Sequence, residues 1–274
     1  MVLRHLLCVI LLGLLATACM HRRKAVVEEP QNAVIPEQQA AAAPPMTAPA
    51  APTGNFSWTY EGATGPEAWA NVNPDYIQCG KGKKQSPVNL TWKKPMKKGM
   101  RLDFSYAPSQ AMIDVSTPVP QLKFNGGNQM LLNGKVYNLD HIEFHSPSEH
   151  QLSKNSMSLE IEFIHRAVEG GKMAAFSVFA IEGHENPLLG DLWNSFSSNV
   201  ASIQFDASKL VPPQKTFYFY PGSLTTPPCT EGVDWIVFNT PVELSQQQIV
   251  AFRAKFPPNA RPIQPLNGRK ITNY

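Results

Sequence analysis

Two short segments carry polar residues at a spacing that can do chemistry: LDHIEFH (139–145) and SLEIEFIH (158–165). In an extended strand alternate side chains face opposite ways. The first segment then turns Ile142 and Phe144 to one side and His141, Glu143 and His145 to the other. The second sets Leu159, Ile161 and Phe163 against Glu160, Glu162 and Ile164. If the two strands pair, three carboxylates and two imidazoles face one another. Such a group can hold a divalent metal or move protons, and it can equally be a set of ion pairs on a solvated sheet face. His141 and His145 lie about 13 Å apart along a strand, so one ion cannot take both without distortion.

The elements that must position these residues are mainly β. The chain has 274 residues, 43% hydrophobic and 16% charged, which excludes a disordered protein. A formal charge of +3 is too mild for a dedicated nucleic-acid binder. Short runs rich in Val, Ile, Phe, Tyr and Thr recur between Gly, Pro and Asn, and in QMLLNGKVYNL the pair Asn133-Gly134 signals a hairpin turn. MAAFSVFAI (173–181) is apolar on both faces and suits a central strand. Only ELSQQQIVAFRAKF (243–256) reads clearly as a helix, with Ser245 as its N-cap.

The chain divides into three parts. Residues 1–18 have a basic start at Arg4, an apolar run from Leu6 to Leu15 and small residues before Cys19, the pattern of an export signal. Small residues leading into a cysteine resemble the lipobox of bacterial lipoproteins, with Leu15 one place early and Cys19 as the acylated residue; Cys8 is a hydrophobe of the discarded run. Residues 20–55 are rich in Ala, Pro, Gln and Glu and read as a flexible linker. Residues 56–274 form one domain with no repeat. The expected location is the periplasmic side of a bacterial cell envelope, with membrane attachment through a lipid on Cys19. Between Lys81 and Arg101 stand Lys83, Lys84, Lys93, Lys94, Lys97 and Lys98 with no acidic residue. That segment reads as a solvated basic face or as a contact for an anionic lipid, an anionic glycan or an acidic envelope protein.

At the level of motifs, residues 56–274 resemble the α-carbonic anhydrases. The matching stretches are YEGATGPEAW (60–69), QSPVNL (85–90), EFHSPSEH (143–150), SLTTPPCTEGVDWIVF (223–238) and RPIQPLNGR (261–269). The resemblance implies a large, twisted, mostly antiparallel sheet with short peripheral helices and a conical pocket reaching its middle. It also implies a zinc ion on three histidines, two in an H-x-H pattern and a third on the next strand. Here those positions are Glu143, His145 and Glu162, so one histidine remains. By the same correspondence His141, Glu160, His150 and His165 stand around the ligands. Thr225 and Glu149 match the pair that orients a metal-bound hydroxide, and Ile164, Ala175, Leu224, Thr226 and Trp235 match the wall of the pocket. Cys79 and Cys229 match a disulfide of secreted members. The family's proton-shuttle histidine has no counterpart in VSTPVPQLKF (115–124), which has two prolines instead.

Charge decides what the altered ligands imply. In carbonic anhydrase, zinc on three neutral imidazoles brings the pKa of its water to about 7. Two glutamates would cancel the ion's formal charge, raise that pKa and depress catalysis near neutrality. They would also form a harder ligand set, shifting preference from zinc toward manganese or iron(II). With no metal, Glu143 and Glu162 are close buried carboxylates, one of which must hold a proton or pair with a histidine. The expectation is a carbonic-anhydrase-like envelope protein with a degenerate zinc site, acting as a binding or assembly module. The alternative is an enzyme, a carbon dioxide hydratase or a metal-assisted hydrolase, using Glu143, His145 and Glu162.

Overall fold

The computed structural model describes residues 56–91, 99–198 and 200–274. The export signal, Cys19, the linker and four of the lysines (Lys93, Lys94, Lys97 and Lys98) lie outside the described residues. Among the described residues no helix is long and apolar enough to cross a membrane.

The strands in chain order are β1 (Asn89–Leu90), β2 (Leu102–Ser105), β3 (Ser109–Asp114), β4 (Gln121–Phe124), β5 (Gln129–Leu132), β6 (Lys135–His145), β7 (Gln151–Leu152), β8 (Leu159–Ala167), β9 (Met173–Glu182), β10 (Ser202–Phe205), β11 (Phe217–Ser223), β12 (Glu231–Phe238), β13 (Val242–Leu244) and β14 (Thr272–Asn273). One large sheet runs β10-β3-β4-β6-β8-β9-β12-β11-β14, with β13 on β9 and β5 joining β2 to β6. Its pairings are antiparallel except β9 with β12 and with β13. The expected mainly β, mostly antiparallel sheet is therefore present.

Local chemistry explains the elements closest to the site. Asn133 and Gly134 both take positive φ (51° and 83°), the geometry of the two-residue turn that joins β5 to β6. Strand β9 is buried on both faces over eight consecutive residues, as its unbroken apolar sequence requires. One face of β6, β8 and β9 carries Ile142, Phe144, Ile161, Phe163, Phe176 and Val178 into the main core, where Phe163 and Phe176 stack at 4.1 Å between centroids.

Helices number more than the single one read from sequence. Helix α4 (Gln246–Lys255) starts at Ser245, whose side chain accepts from the Gln248 backbone while the Gln248 side chain returns the bond. Helix α3 (Pro187–Ser197), which the sequence reading passed over, packs Leu189, Leu192, Trp193 and Phe196 inward. That spacing is helical, with Asn186 as cap and Pro187 in the first turn, but Gly190 and a serine- and asparagine-rich end weaken its propensity. Two one-turn helices, α1 (Trp69–Val72) and α2 (Gln78–Lys81), precede the sheet; they are numbered first by chain order.

Candidate functional site

The site-bearing face is set by the register of four adjacent strands. Glu143 on β6 stands directly opposite Glu162 on β8, Gln121 on β4 opposite Glu143, and Ser177 on β9 opposite Glu162. His145 pairs with Glu160 one step along. A register shift at Asp140 makes β6 bulge, so Leu139 packs into the core while His141, two residues on, turns to the opposite face. Glu143, His145, Glu149, His150, Glu160 and Glu162 are all buried.

The three candidate ligands converge. One donor atom each from Glu143, His145 and Glu162 lies within 4.8 Å of the others. His145 Nε2 is 3.7 Å from Glu143 Oε2 and 3.9 Å from Glu162 Oε2. Each residue is also anchored from behind. His145 Nδ1 donates to the Asn259 carbonyl at 2.8 Å, which leaves Nε2 as the free ring nitrogen. Glu143 Oε1 accepts from Gln121 Nε2 at 2.7 Å and faces His141 Nε2 at 3.3 Å. Glu162 Oε2 accepts from Thr225 Oγ1 at 3.3 Å.

A second carboxylate–imidazole group, His150 with Glu160 and Glu162, has the spacing of a metal site but different chemistry. Glu160 accepts from both the backbone nitrogen and Nδ1 of His150 at 2.8 Å, and His150 Nε2 meets the Tyr220 hydroxyl at 2.6 Å. His150 and Glu160 satisfy one another and have no donor atom left over. By contrast His145 Nε2, Glu162 Oε1 and Glu149 Oε2 are buried with no hydrogen-bond partner. Each such atom costs about 1–3 kcal/mol, so the three mark where a further group belongs.

Electrostatics divide the carboxylates. Burial pushes Glu162 well above the ordinary range, and Glu149 adds to the shift. Burial opposes the charge of Glu143 too, but the contact with His141 and the charges of His141 and His145 outweigh it and hold its pKa far down. Burial likewise lowers His141, yet the bonds to Asp140 and Glu143 win and raise it to about 9. His145 is raised by Glu149, Glu143 and Glu162 against its desolvation. Without a metal, negative charge is therefore favoured on Glu143 beside its two histidines and disfavoured on Glu162.

Not every expected residue joins the cluster. His165 lies on the opposite face of β8 from Glu160 and Glu162, as strand alternation demands. Its Nδ1 meets the Phe163 carbonyl and its Nε2 meets Tyr106. Glu149 Oε1 accepts from the Arg261 backbone nitrogen at 2.6 Å. The Thr225 hydroxyl also lies against Glu149 and favours its charged form. Its one hydrogen is directed at Glu162 Oε2, so Thr225 donates to Glu162 where the resemblance implied a bond to Glu149. Ile164, Ala175, Leu224 and Trp235 belong to one apolar cluster beside the site, and Thr226 is buried at its loop. Cys79 and Cys229 are disulfide-bonded across a separation of 150 residues, tying the loop that carries Thr225 to the start of the domain.

Sequence reading missed Gln121, Asn259 and Tyr60. Gln121 sits in the proline-bearing segment that lacks a shuttle histidine, and its role depends on the β4–β6 register. Asn259 acts through its backbone carbonyl, which no side-chain pattern reveals. The Tyr60 hydroxyl is buried without a partner and feels the charges of Glu149, Glu143 and Glu162; its motif gave it a place but no task. The residues present do not fit a zinc centre of three imidazoles, because the donor set is one imidazole and two carboxylates.

A family model described as eukaryotic-type carbonic anhydrase matches residues 64–274. The chain is 37% identical over 222 residues to a carbonic anhydrase of Neisseria gonorrhoeae, covering 78% of this chain and 86% of that protein. It is 32% identical over 231 residues to dioscorin DB3S of Dioscorea polystachya, covering 79% and 85%. Among solved structures, the α-carbonic anhydrase of Thermovibrio ammonificans in complex with sulfanilamide superposes with a TM-score of 0.73 at 35% identity, covering 80% of this chain and 100% of that one. A dioscorin complexed with ascorbate gives 0.73 at 30% identity, covering 79% and 97%.

Proposed function

Since the chain belongs to the eukaryotic-type carbonic anhydrase family, we propose that it is a carbonic-anhydrase-like protein of the bacterial cell envelope that serves as a binding or assembly module rather than as a standard hydratase. The observation that carries this reading is the replacement of two of three ligand positions by Glu143 and Glu162. The buried network accommodates both glutamates: His141 and His145 favour the charge of Glu143, and burial favours the neutral form of Glu162. The likeness to a dioscorin solved with ascorbate supports use of this fold to hold a ligand. In this reading residues 1–18 export the chain, Cys19 carries the lipid, and the basic Lys81–Arg101 segment meets an acidic envelope protein or an anionic glycan.

A second reading is favoured by the free donor atoms at the same place: an enzyme, hydratase or hydrolase, built on Glu143, His145 and Glu162, with Thr225 and Glu149 orienting the reacting group. The native chain and a Glu143→His plus Glu162→His variant, each loaded with zinc, separate the two. Carbon dioxide hydration by stopped flow should be near background in the native chain and rise at least 100-fold in the variant. A native rate comparable with the variant's would overturn the module reading.

A further inference from the structure

We propose that Glu143, His145 and Glu162 form a three-point site for a divalent cation harder than the zinc of a tri-imidazole centre, and that Gln121 and His141 are its positioning residues. Each ligand is anchored by a neighbouring polar group, and His145 and Glu143 each present a second atom to the site. His145 is held through Nδ1 and presents Nε2. Glu162 turns Oε2, which also takes the Thr225 hydroxyl, toward His145 Nε2 at 3.9 Å, and its other oxygen, Oε1, lies 3.9 Å from His150 Nδ1. Glu143 is held through Oε1 by Gln121 and His141, and its Oε2 turns toward His145. A ligand fixed at one atom by a second group and free at the other is the arrangement of a built metal site, not of a collapsed ion pair.

The donor types set the cation class. Two carboxylate oxygens and one imidazole nitrogen neutralise a dication and leave room for oxygen ligands from water, a set suited to manganese(II) or iron(II). Affinity in absolute terms still favours zinc at most nitrogen–oxygen sites. The claim therefore concerns the ratio: this chain discriminates less for zinc over manganese than the same scaffold with histidines restored. The His150–Glu160 pair is excluded from the site because both residues are already satisfied.

The inference bears on the enzyme reading but is tested by occupancy, so a metal-free result would sink it and leave the binding-module reading in place. Full-length protein stripped with chelator is titrated with manganese(II) and followed by electron paramagnetic resonance, then displaced with zinc. About one manganese per chain is expected, with a zinc-to-manganese affinity ratio at least 10-fold lower than in the Glu143→His plus Glu162→His variant. His141→Leu should weaken manganese binding about 10-fold and change the spectrum of the bound ion, while His141→Gln, which keeps a donor, should restore both. Gln121→Leu should weaken binding similarly, with melting curves confirming that each variant folds. Absence of stoichiometric manganese, an unchanged affinity ratio, or equal spectra and affinities across the His141 variants would overturn the proposal.

Discussion

At the scale of single residues, Glu143 and Glu162 stand opposite each other on neighbouring strands and yet their proton affinities are shifted in opposite directions. Glu143 has Gln121, His141 and His145 around it, which makes its negative charge part of a network. Glu162 has Glu149, Glu143 and Glu160 nearby and one weak hydroxyl donor, so burial keeps it protonated when no cation is present. The two glutamine substitutions should therefore differ. In chelator, Glu143→Gln leaves His141 and His145 without their shared anion and should destabilise the fold by about 3–5 kcal/mol, the range for removing one partner of a buried pair. Glu162→Gln replaces a neutral acid by a neutral amide and should cost less than about 1 kcal/mol. Urea unfolding midpoints measure both, and equal losses would mean that both carboxylates are charged in the metal-free protein.

At the scale of elements, alternation along β6 and β8 was enough to bring Glu143, His145, Glu160 and Glu162 to one face, and the Asn133-Gly134 turn and the doubly buried β9 were equally legible. What sequence hid has physical causes. The Asp140 bulge breaks the period of two, so it leaves no repeating pattern; alternation from Glu143 already puts His141 on the site face, and the bulge is what returns Leu139 to the core. Gln121 acquires its partner only through pairing between strands some twenty residues apart in sequence. Helix α3 is carried by tertiary packing of Trp193 and Phe196 against Phe144 rather than by propensity. The disulfide works at this same scale. It closes a span of 150 residues and holds the loop bearing Thr225 against α2. Replacing Cys79 and Cys229 by serine should cost about 2–5 kcal/mol. Hydrogen exchange should quicken most in residues 224–230, and uniform quickening across the sheet would argue against a local tether.

For the whole molecule, two histidines with opposite shifts fix how stability responds to pH. Burial drives His165 down from 6.5 to about 3, so between those values the unfolded chain takes up a proton that the folded chain refuses. Its contribution is complete above pH 6.5 and is lost on acidification toward 3. His141 is raised from 6.5 to about 9 by Asp140 and Glu143, so the folded chain keeps a proton that the unfolded chain releases. That contribution is complete below pH 6.5 and is lost as pH rises through 9. The two limbs meet near pH 6.5, and each can change stability by up to about 1.4 kcal/mol for every pH unit crossed. Metal-free protein unfolded by urea between pH 4 and 10 should therefore show a dome. His165→Gln should reduce its acid limb, and His141→Gln should reduce its alkaline limb, to which the raised His145 also contributes. The two histidines sit on opposite faces of the β6–β8 pair, but His141 itself lowers His165 and Asp140 acts on both, so His141→Gln should also ease the depression of His165 slightly. An alkaline limb unchanged by His141→Gln would place the raised proton affinity wholly on His145.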